Sequence, residues 1–133
     1  MRVVVDTNVI VSALLFRSEV SQIHKLWKEG IFIILLSKPI IDEYLRVLAY
    51  PRFGLLPEDI KYLLYREVVP YSEVVDVTSS LSVVNDDPDD DKFIALAVDA
   101  KADFIVSGDR HLLDIGEYEG IPVVSVSDFL KRF

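Results

Sequence analysis

The sequence predicts a three-layer α/β fold with a mainly parallel five-stranded sheet between layers of helices. Short, wholly apolar runs such as Val3-Val4-Val5 and Phe104-Ile105-Val106 are typical of strands buried in a parallel sheet. Helical segments alternate with these runs, which indicates helices packed on such a sheet. The 133 residues are enough for one hydrophobic core, so we expect a single domain over residues 1–133.

The N-terminal part predicts a strand, two helices and a second strand. Thr7 or Asn8 can cap the first helix, because both side chains can accept a hydrogen bond from the first turn. Gly30 can end the second helix. These four elements are expected at residues 2–5, 9–16, 21–29 and 31–36.

The rest of the chain predicts helices, a weak strand near an edge of the sheet, and two further strands. Pro39 and Pro57 suit the first turn of a helix, and Pro51 should end one. The helix that leads into the fourth strand is apolar almost all round, so we expect it to be buried. The expected strand order is 3-2-1-4-5. The elements are expected at residues 37–50, from 57 onward, and at 74–77, 89–102, 104–106, 122–124 and 127–131.

The composition excludes several classes of site. Cysteine is absent and only two histidines occur, so disulfides, zinc–thiolate sites and histidine-rich metal sites are excluded. The net charge of −8 has the wrong sign for general affinity to nucleic acid. No apolar run is long enough to cross a bilayer and no secretory signal is evident, so we expect a cytoplasmic protein without membrane contact.

Acidic residues occur where the predicted fold would bring them together. Asp6 directly follows the first strand, Asp109 follows the fourth, and Asp91 opens the helix before it. Ligands in open parallel sheets bind at the carboxyl ends of the strands, where the strand order reverses. Carboxylates gathered there repel one another unless a cation offsets them, and oxygen ligands favour Mg²⁺, Mn²⁺ or Ca²⁺.

Each acid also has an ordinary structural interpretation. Asp6 and Asp109 could cap the helices that follow them, and Asp91 could complement a helix dipole as well as Asp89 or Asp90 could. Glu43 flanks the apolar stripe of its helix on one side and Asp42 flanks it on the other. Helical periodicity does not choose between those two residues.

Four segments, taken together, resemble the PIN domain family over essentially the whole chain. They are the opening Val-Val-Val-Asp-Thr-Asn-Val-Ile, then Ser-Lys-Pro-Ile-Ile-Asp-Glu-Tyr-Leu, then Asp-Pro-Asp-Asp-Asp-Lys-Phe-Ile-Ala-Leu-Ala, and finally Phe-Ile-Val-Ser-Gly-Asp-Arg-His-Leu-Leu. Their order and spacing are those of the family. The chain is most similar to small prokaryotic members related to VapC-type toxins.

The resemblance implies a metal-dependent ribonuclease whose conserved acids are Asp6, Glu43, Asp91 and Asp109. It selects Glu43 over Asp42, and it selects Asp91 over its two acidic neighbours. One or two Mg²⁺ or Mn²⁺ ions would bind Asp6, Asp91 and Asp109, and Glu43 would be a further ligand or would orient the attacking water. The resemblance also implies that Asn8 and Ser107 support the acid pocket. Arg110 and Lys92 are the expected contacts to substrate phosphates, because they are the cations next in sequence to Asp109 and Asp91.

The resemblance also implies partners: an RNA substrate, an antitoxin protein, and a second copy of the chain in a homodimer or higher homo-oligomer. Phosphatases of the haloacid-dehalogenase type fit poorly, because Asn8 stands where they need a second aspartate. Receiver-like phosphoacceptor domains fit poorly as well, since the third strand ends without an acid. The serious alternative is a PIN-fold module with weak catalysis that binds RNA or protein.

Overall fold

Residues 1–78 and 90–133 are described by a computed structural model of the chain. They form a six-stranded sheet with helices between the strands. The strands are β1 Arg2–Val5, β2 Ile33–Leu36, β3 Ser72–Val74, β4 Phe104–Val106, β5 Glu117–Tyr118 and β6 Ile121–Val124. The helices are α1 Thr7–Leu15, α2 Ser21–Lys28, α3 Lys38–Leu48, α4 Pro57–Tyr62, α5 Asp91–Asp99, α6 Arg110–Ile115 and α7 Val126–Leu130.

The sheet has the order β3-β2-β1-β4-β6-β5, and every pairing except that of β5 with β6 is parallel. The five predicted strands therefore lie in the predicted order. The structure adds β5, a two-residue strand at the edge. This strand pairs in antiparallel fashion with β6 across a tight turn, and so short a strand carries no apolar run that a sequence pattern could reveal.

The central strands of the sheet are buried from solvent, and their side chains are apolar on both faces. Val3, Val4 and Ile105 are fully buried, as parallel strands covered by helices require. α5 packs against β1 and β4, and its residues Phe93–Ala97 are all buried, which confirms the predicted buried helix. The predicted start of this helix at Asp89 lies outside the described residues.

Two predicted boundaries were wrong, and the first of them changes the role of Asp6. α1 begins at Thr7, two residues earlier than expected, and Asp6 is its N-cap instead of Thr7 or Asn8. The third strand covers Ser72–Val74 instead of residues 74–77, because the chain enters the sheet directly from a helical turn at Val69–Tyr71. It lies at the edge of the sheet, as expected.

The connection from α4 to β3 holds a feature that periodicity does not reveal. Residues Leu63–Val68 continue α4 as a π-helical turn, in which Leu64 and Val68 are buried. Within the two described ranges of the chain, no helix has the length and apolar character needed to cross a membrane.

Candidate active site

An acidic cavity of about 220 Å³ opens at the carboxyl ends of β1 and β4. These strands are neighbours, paired in parallel with Val5 opposite Val106. They also flank the point at which the strand order reverses, where open parallel sheets bind ligands. The lining side chains come from the ends of the strands and from α1, α3 and α5: Asp6, Thr7, Asn8, Glu43, Val47, Tyr50, Asp90, Phe93 and Asp109.

Asp6 joins the two central strands through its carboxylate. Oδ1 accepts a hydrogen bond from the backbone N–H of Val9 at 2.9 Å and so caps α1. Oδ2 accepts one from the hydroxyl of Ser107 and one from the N–H of Gly108 at 3.3 Å. The same side chain thus caps a helix and ties the end of β1 to the loop after β4.

The electrostatic setting of Asp6 is unfavourable for a charged group. Only 5% of the residue is exposed, and this burial raises the pKa of Asp6, with the nearby charge of Asp109 acting in the same direction. The hydrogen bonds from Ser107, Val9 and Gly108 act against that rise. A carboxylate whose ionised form is destabilised by burial would gain from a bound cation.

Ser107, which the sequence predicted as a support, is fully buried and connects two of the acids. Its hydroxyl donates to Asp6 and accepts a hydrogen bond from the backbone N–H of Asp109 at 2.8 Å. The Asp109 carboxylate in turn accepts from the N–H of His111 at 2.7 Å and caps α6. Asp109 is thereby held at the mouth of the cavity.

Glu43 faces the cavity from α3, whereas Asp42 is exposed. Its carboxylate accepts a hydrogen bond from the hydroxyl of Thr7 and forms an ion pair with Lys92 Nζ at 2.8 Å. A looser contact of 3.5 Å joins it to Arg46. The structure therefore places Glu43, of the two candidates on this helix, beside Asp6.

Asp90 and Asp91 take different positions although they are neighbours. Asp90 lines the cavity, and its carboxylate, that of Asp109 and a ring nitrogen of His111 all lie within 4.8 Å of one another. Asp91 starts α5 and is not among the described residues that line the cavity. A step of one residue on a helix turns the side chain by about 100°, which separates the directions of the two.

The remaining predicted residues lie around the cavity in different ways. Asn8 is exposed and lines it. Lys92 is mostly buried and forms an ion pair with Glu43, so its positive charge offsets that of the Glu43 carboxylate. Arg110 is exposed, directly after Asp109, and is outside the lining. His111 was not among the predicted site residues. It lies two residues after Asp109, and this spacing is a signal from which a metal ligand could have been predicted.

The donor set is suited to a divalent metal ion. Asp90, Asp109 and His111 offer two carboxylates and an imidazole close together, and Asp6 and Glu43 add oxygen atoms in the same cavity. Oxygen-rich sites of this kind favour Mg²⁺ and Mn²⁺, and a nitrogen ligand is more easily accepted by Mn²⁺. The arrangement could hold such an ion beside an incoming phosphate.

Comparison with known proteins agrees with this geometry. The family model described as PIN domain matches residues 2–111, a range that includes each of the acids in the cavity. The crystal structure of PAE2754 from Pyrobaculum aerophilum is similar over 99% of this chain and 88% of that one, with a TM-score of 0.54 and 19% identity. At that identity the similarity concerns the fold alone. No curated protein gives a significant match.

Proposed function

Because this chain belongs to the PIN domain family, we propose that it is a metal-dependent ribonuclease that hydrolyses phosphodiester bonds at the acidic cavity. PIN domains are typically metal-dependent nucleases. The observation that carries the proposal is the convergence of Asp6, Glu43, Asp90 and Asp109 in one cavity of about 220 Å³. These residues are far apart in sequence, and their assembly is costly without a cation.

The acids would share the work of binding and orientation. Asp6, Asp90 and Asp109 would hold one or two Mg²⁺ or Mn²⁺ ions, and Glu43 would complete the ligand set or orient the attacking water. When bound, such an ion lowers the pKa of water and offsets the charge that develops on the phosphate. Ser107 and Thr7 keep the carboxylates in place through their hydroxyl groups. The prediction of Asp91 as the third ligand stays untested, and the cavity favours Asp90.

Two cations near the cavity are proposed to contact substrate phosphates. Lys92 would exchange its ion pair with Glu43 for a phosphate once a metal ion neutralises the carboxylate. Arg110 is exposed and directly follows Asp109, which lines the cavity. In a chain with a net charge of −8, such local cations are needed to offset the repulsion of RNA.

The biological role that we propose is that of a cytoplasmic VapC-like toxin in a toxin–antitoxin pair. Small size and the four matching segments support this role. A homodimer and an antitoxin are the proposed partners, and the exposed Tyr62 and Tyr65 provide an aromatic surface for such contacts.

A second candidate function is a PIN-fold module that binds RNA or protein with little turnover. The ion pair between Lys92 and Glu43 favours it, because a cation on Glu43 competes with a metal ion for the same carboxylate. Measured cleavage separates the two candidates.

The decisive experiment compares purified wild-type protein with Asp6→Asn on a structured RNA in Mg²⁺ or Mn²⁺. Loss of a metal ligand removes several kcal/mol of transition-state stabilisation, so we expect cleavage to fall by about a hundredfold or more. Asp42→Asn removes an exposed acid next to Glu43 and should retain full activity.

Two outcomes would contradict the nuclease proposal. Cleavage that survives Asp6→Asn would come from a contaminating enzyme. Absence of cleavage by the wild-type protein under every metal condition, together with retained RNA binding, would favour the binding module.

A further inference from the structure

A second cavity, of about 760 Å³, adjoins the acidic one and takes no part in the chemistry described above. It is an open groove between α1 and the 3₁₀ turn at Pro51–Phe53. We call it the Phe16–Phe53 groove. The side chains that line it are Asn8, Val11, Ser12, Leu15, Phe16, Arg52, Phe53 and Leu55.

The groove and the acidic cavity adjoin each other at one shared residue. Asn8 lines both of them. Tyr50 lines the acidic cavity, and the guanidinium carbon of Arg52 lies 5.6 Å from the centre of its ring. The same guanidinium lies 4.8 Å from the centre of the Phe53 ring. Arg52, which lines the groove, therefore lies next to a residue that lines the acidic cavity.

The walls of the groove combine flat apolar surfaces with a cation. Phe16 is 51% exposed, and its ring centre lies 6.2 Å from that of Phe53 with the ring planes inclined by 54°. Aromatic rings and arginine planes are the groups on which unpaired nucleic-acid bases stack. Asn8 and Ser12 add hydrogen-bonding groups of the kind that meet base edges.

We propose that the Phe16–Phe53 groove binds the base of a nucleotide next to the scissile phosphate, and that the substrate is single-stranded at that point. The inference rests on the proposed function, because it places the neighbouring phosphate in the acidic cavity. The groove has the size of a typical ligand pocket. A base held within a duplex has both faces stacked and its pairing edge occupied, so it cannot enter the groove.

Exposed phenylalanine alone would not support this assignment, because scattered apolar residues are ordinary on protein surfaces. The position of Arg52 is what distinguishes this groove. A cation held over Tyr50, which lines the acidic cavity, and over Phe53, which lines the groove, complements a phosphodiester chain that passes from one cavity to the other.

Binding to a fluorescein-labelled, single-stranded oligoribonucleotide of mixed sequence tests the proposal. Fluorescence anisotropy in EDTA at low salt measures affinity without cleavage, and the same oligonucleotide annealed to its complement serves for comparison. Since stacking on one aromatic residue changes affinity by about five- to hundredfold, we expect Phe16→Ala and Arg52→Ala each to weaken single-strand binding to that extent. Duplex binding should not change.

Matched controls separate stacking from charge and from general surface effects. Arg52→Lys keeps the positive charge but lacks the planar guanidinium group. It should therefore lose less single-strand affinity than Arg52→Ala. Phe133→Ala and Arg66→Ala remove an exposed aromatic residue and an exposed arginine elsewhere. Both controls should bind like the wild-type protein.

Photocrosslinking gives an independent readout. An oligoribonucleotide that contains 4-thiouridine should attach at Phe16 or at Phe53. Peptide fragmentation must locate the adduct, because the tryptic peptide that carries Phe16 also carries Asp6. Adducts found only elsewhere, unchanged affinity in both groove variants, or no single-strand binding by the wild-type protein would each overturn the proposal. So would a groove variant that turns a dimer into a monomer in sedimentation at unchanged RNA affinity, because the groove would then join two copies of the chain.

The nuclease proposal can fail separately. If the wild-type protein never cleaves RNA but the groove variants lose single-strand binding, the groove assignment stands and the nuclease proposal fails. If cleavage depends on Asp6 while RNA affinity is the same in wild-type protein and groove variants, the nuclease proposal stands and the groove assignment fails.

Discussion

The carboxylate of Asp6 divides its two oxygen atoms between different tasks. One oxygen caps α1, and the other accepts hydrogen bonds from Ser107 and Gly108. One aspartate can therefore cap a helix and also belong to an acidic site. Asp109 combines the same two roles at α6. A capped carboxylate is fixed in direction, which suits a ligand that must hold a metal ion in a defined geometry.

The choice between Asp90 and Asp91 leads to a paired test at the residue scale. We expect Asp90→Asn to lower kcat/KM and to weaken the apparent affinity for Mn²⁺ by roughly tenfold or more, because Asp90 lines the cavity. Asp91→Asn should change kcat/KM by less than about fivefold, as expected for the loss of one acid at a helix N-terminus. Steady-state kinetics with Mn²⁺ titration measures both. The opposite ranking would show that the assignment from family resemblance was right.

At the scale of elements, a cluster of three charged or titratable side chains joins α2 to the π-helical turn. Glu67 Oε2 lies 2.6 Å from Lys28 Nζ and 3.3 Å from His24 Nε2. The hydrogen bond from Lys28 lowers the pKa of Glu67, whereas burial lowers the pKa of His24 in spite of the opposing charge of Glu67. Trp27 Nε1 adds a hydrogen bond to the carbonyl of Tyr71 at 3.1 Å.

These pKa shifts predict a loss of stability in acid. His24 has an ordinary pKa of 6.5 and a lower one in the folded protein, so below pH 6.5 protons bind the unfolded chain preferentially and folding becomes less favourable. Glu67 has a lowered pKa as well, and its contribution is lost only at lower pH, below its ordinary 4.5. In urea unfolding in EDTA, the contribution of His24 should therefore make the free energy of unfolding smaller at pH 5.5 than at 7.5. Asp6, whose pKa is raised by burial, acts in the opposite direction, so the two contributions must be separated with a variant.

The variant His24→Gln isolates the histidine contribution, because glutamine does not titrate in this range. Between pH 7.5 and 5.5 we expect this variant to lose less free energy of unfolding than the wild-type protein, or to gain more, because the opposing contribution of Asp6 is the same in both. His111→Gln, at an exposed histidine, is the matched comparison. An unchanged pH dependence in His24→Gln would show that other groups cause the loss in acid.

At the scale of the whole molecule, the chain carries a net charge of −8 and gathers several acids at one edge of its sheet. A metal ion that binds the folded chain in preference to the unfolded chain stabilises it, by about 2.7 kcal/mol at a concentration a hundredfold above Kd. Relief of repulsion among Asp6, Asp90 and Asp109 would be the physical source of that binding.

Thermal unfolding measures this linkage directly. Mg²⁺ or Mn²⁺ at saturating concentration should raise the Tm of the wild-type protein by several degrees. Asp6→Asn should show a much smaller rise, and Asp42→Asn the full one. Equal rises in the wild-type protein and Asp6→Asn would place the metal ion outside the acidic cavity.

Much of the fold was already determined by local patterns. The apolar runs of β1 and β4, with Asp6 and Asp109 just beyond them, predicted both the centre of the sheet and the edge at which acids meet. The buried helix α5 also followed from its continuous apolar sequence. Such features are accessible because a buried parallel strand or helix needs apolar residues over its whole length.

The tertiary structure decided which neighbouring side chains face the cavity. Asp42 and Glu43 are neighbours on α3, and Asp90 and Asp91 are neighbours at the start of α5. In each pair, the rotation of the helix against the sheet decides which side chain faces the cavity. The Phe16–Phe53 groove joins residues 37 positions apart and has no local signal. Sequence patterns report periodicity within an element, whereas rotation and close approach arise only when elements pack against one another.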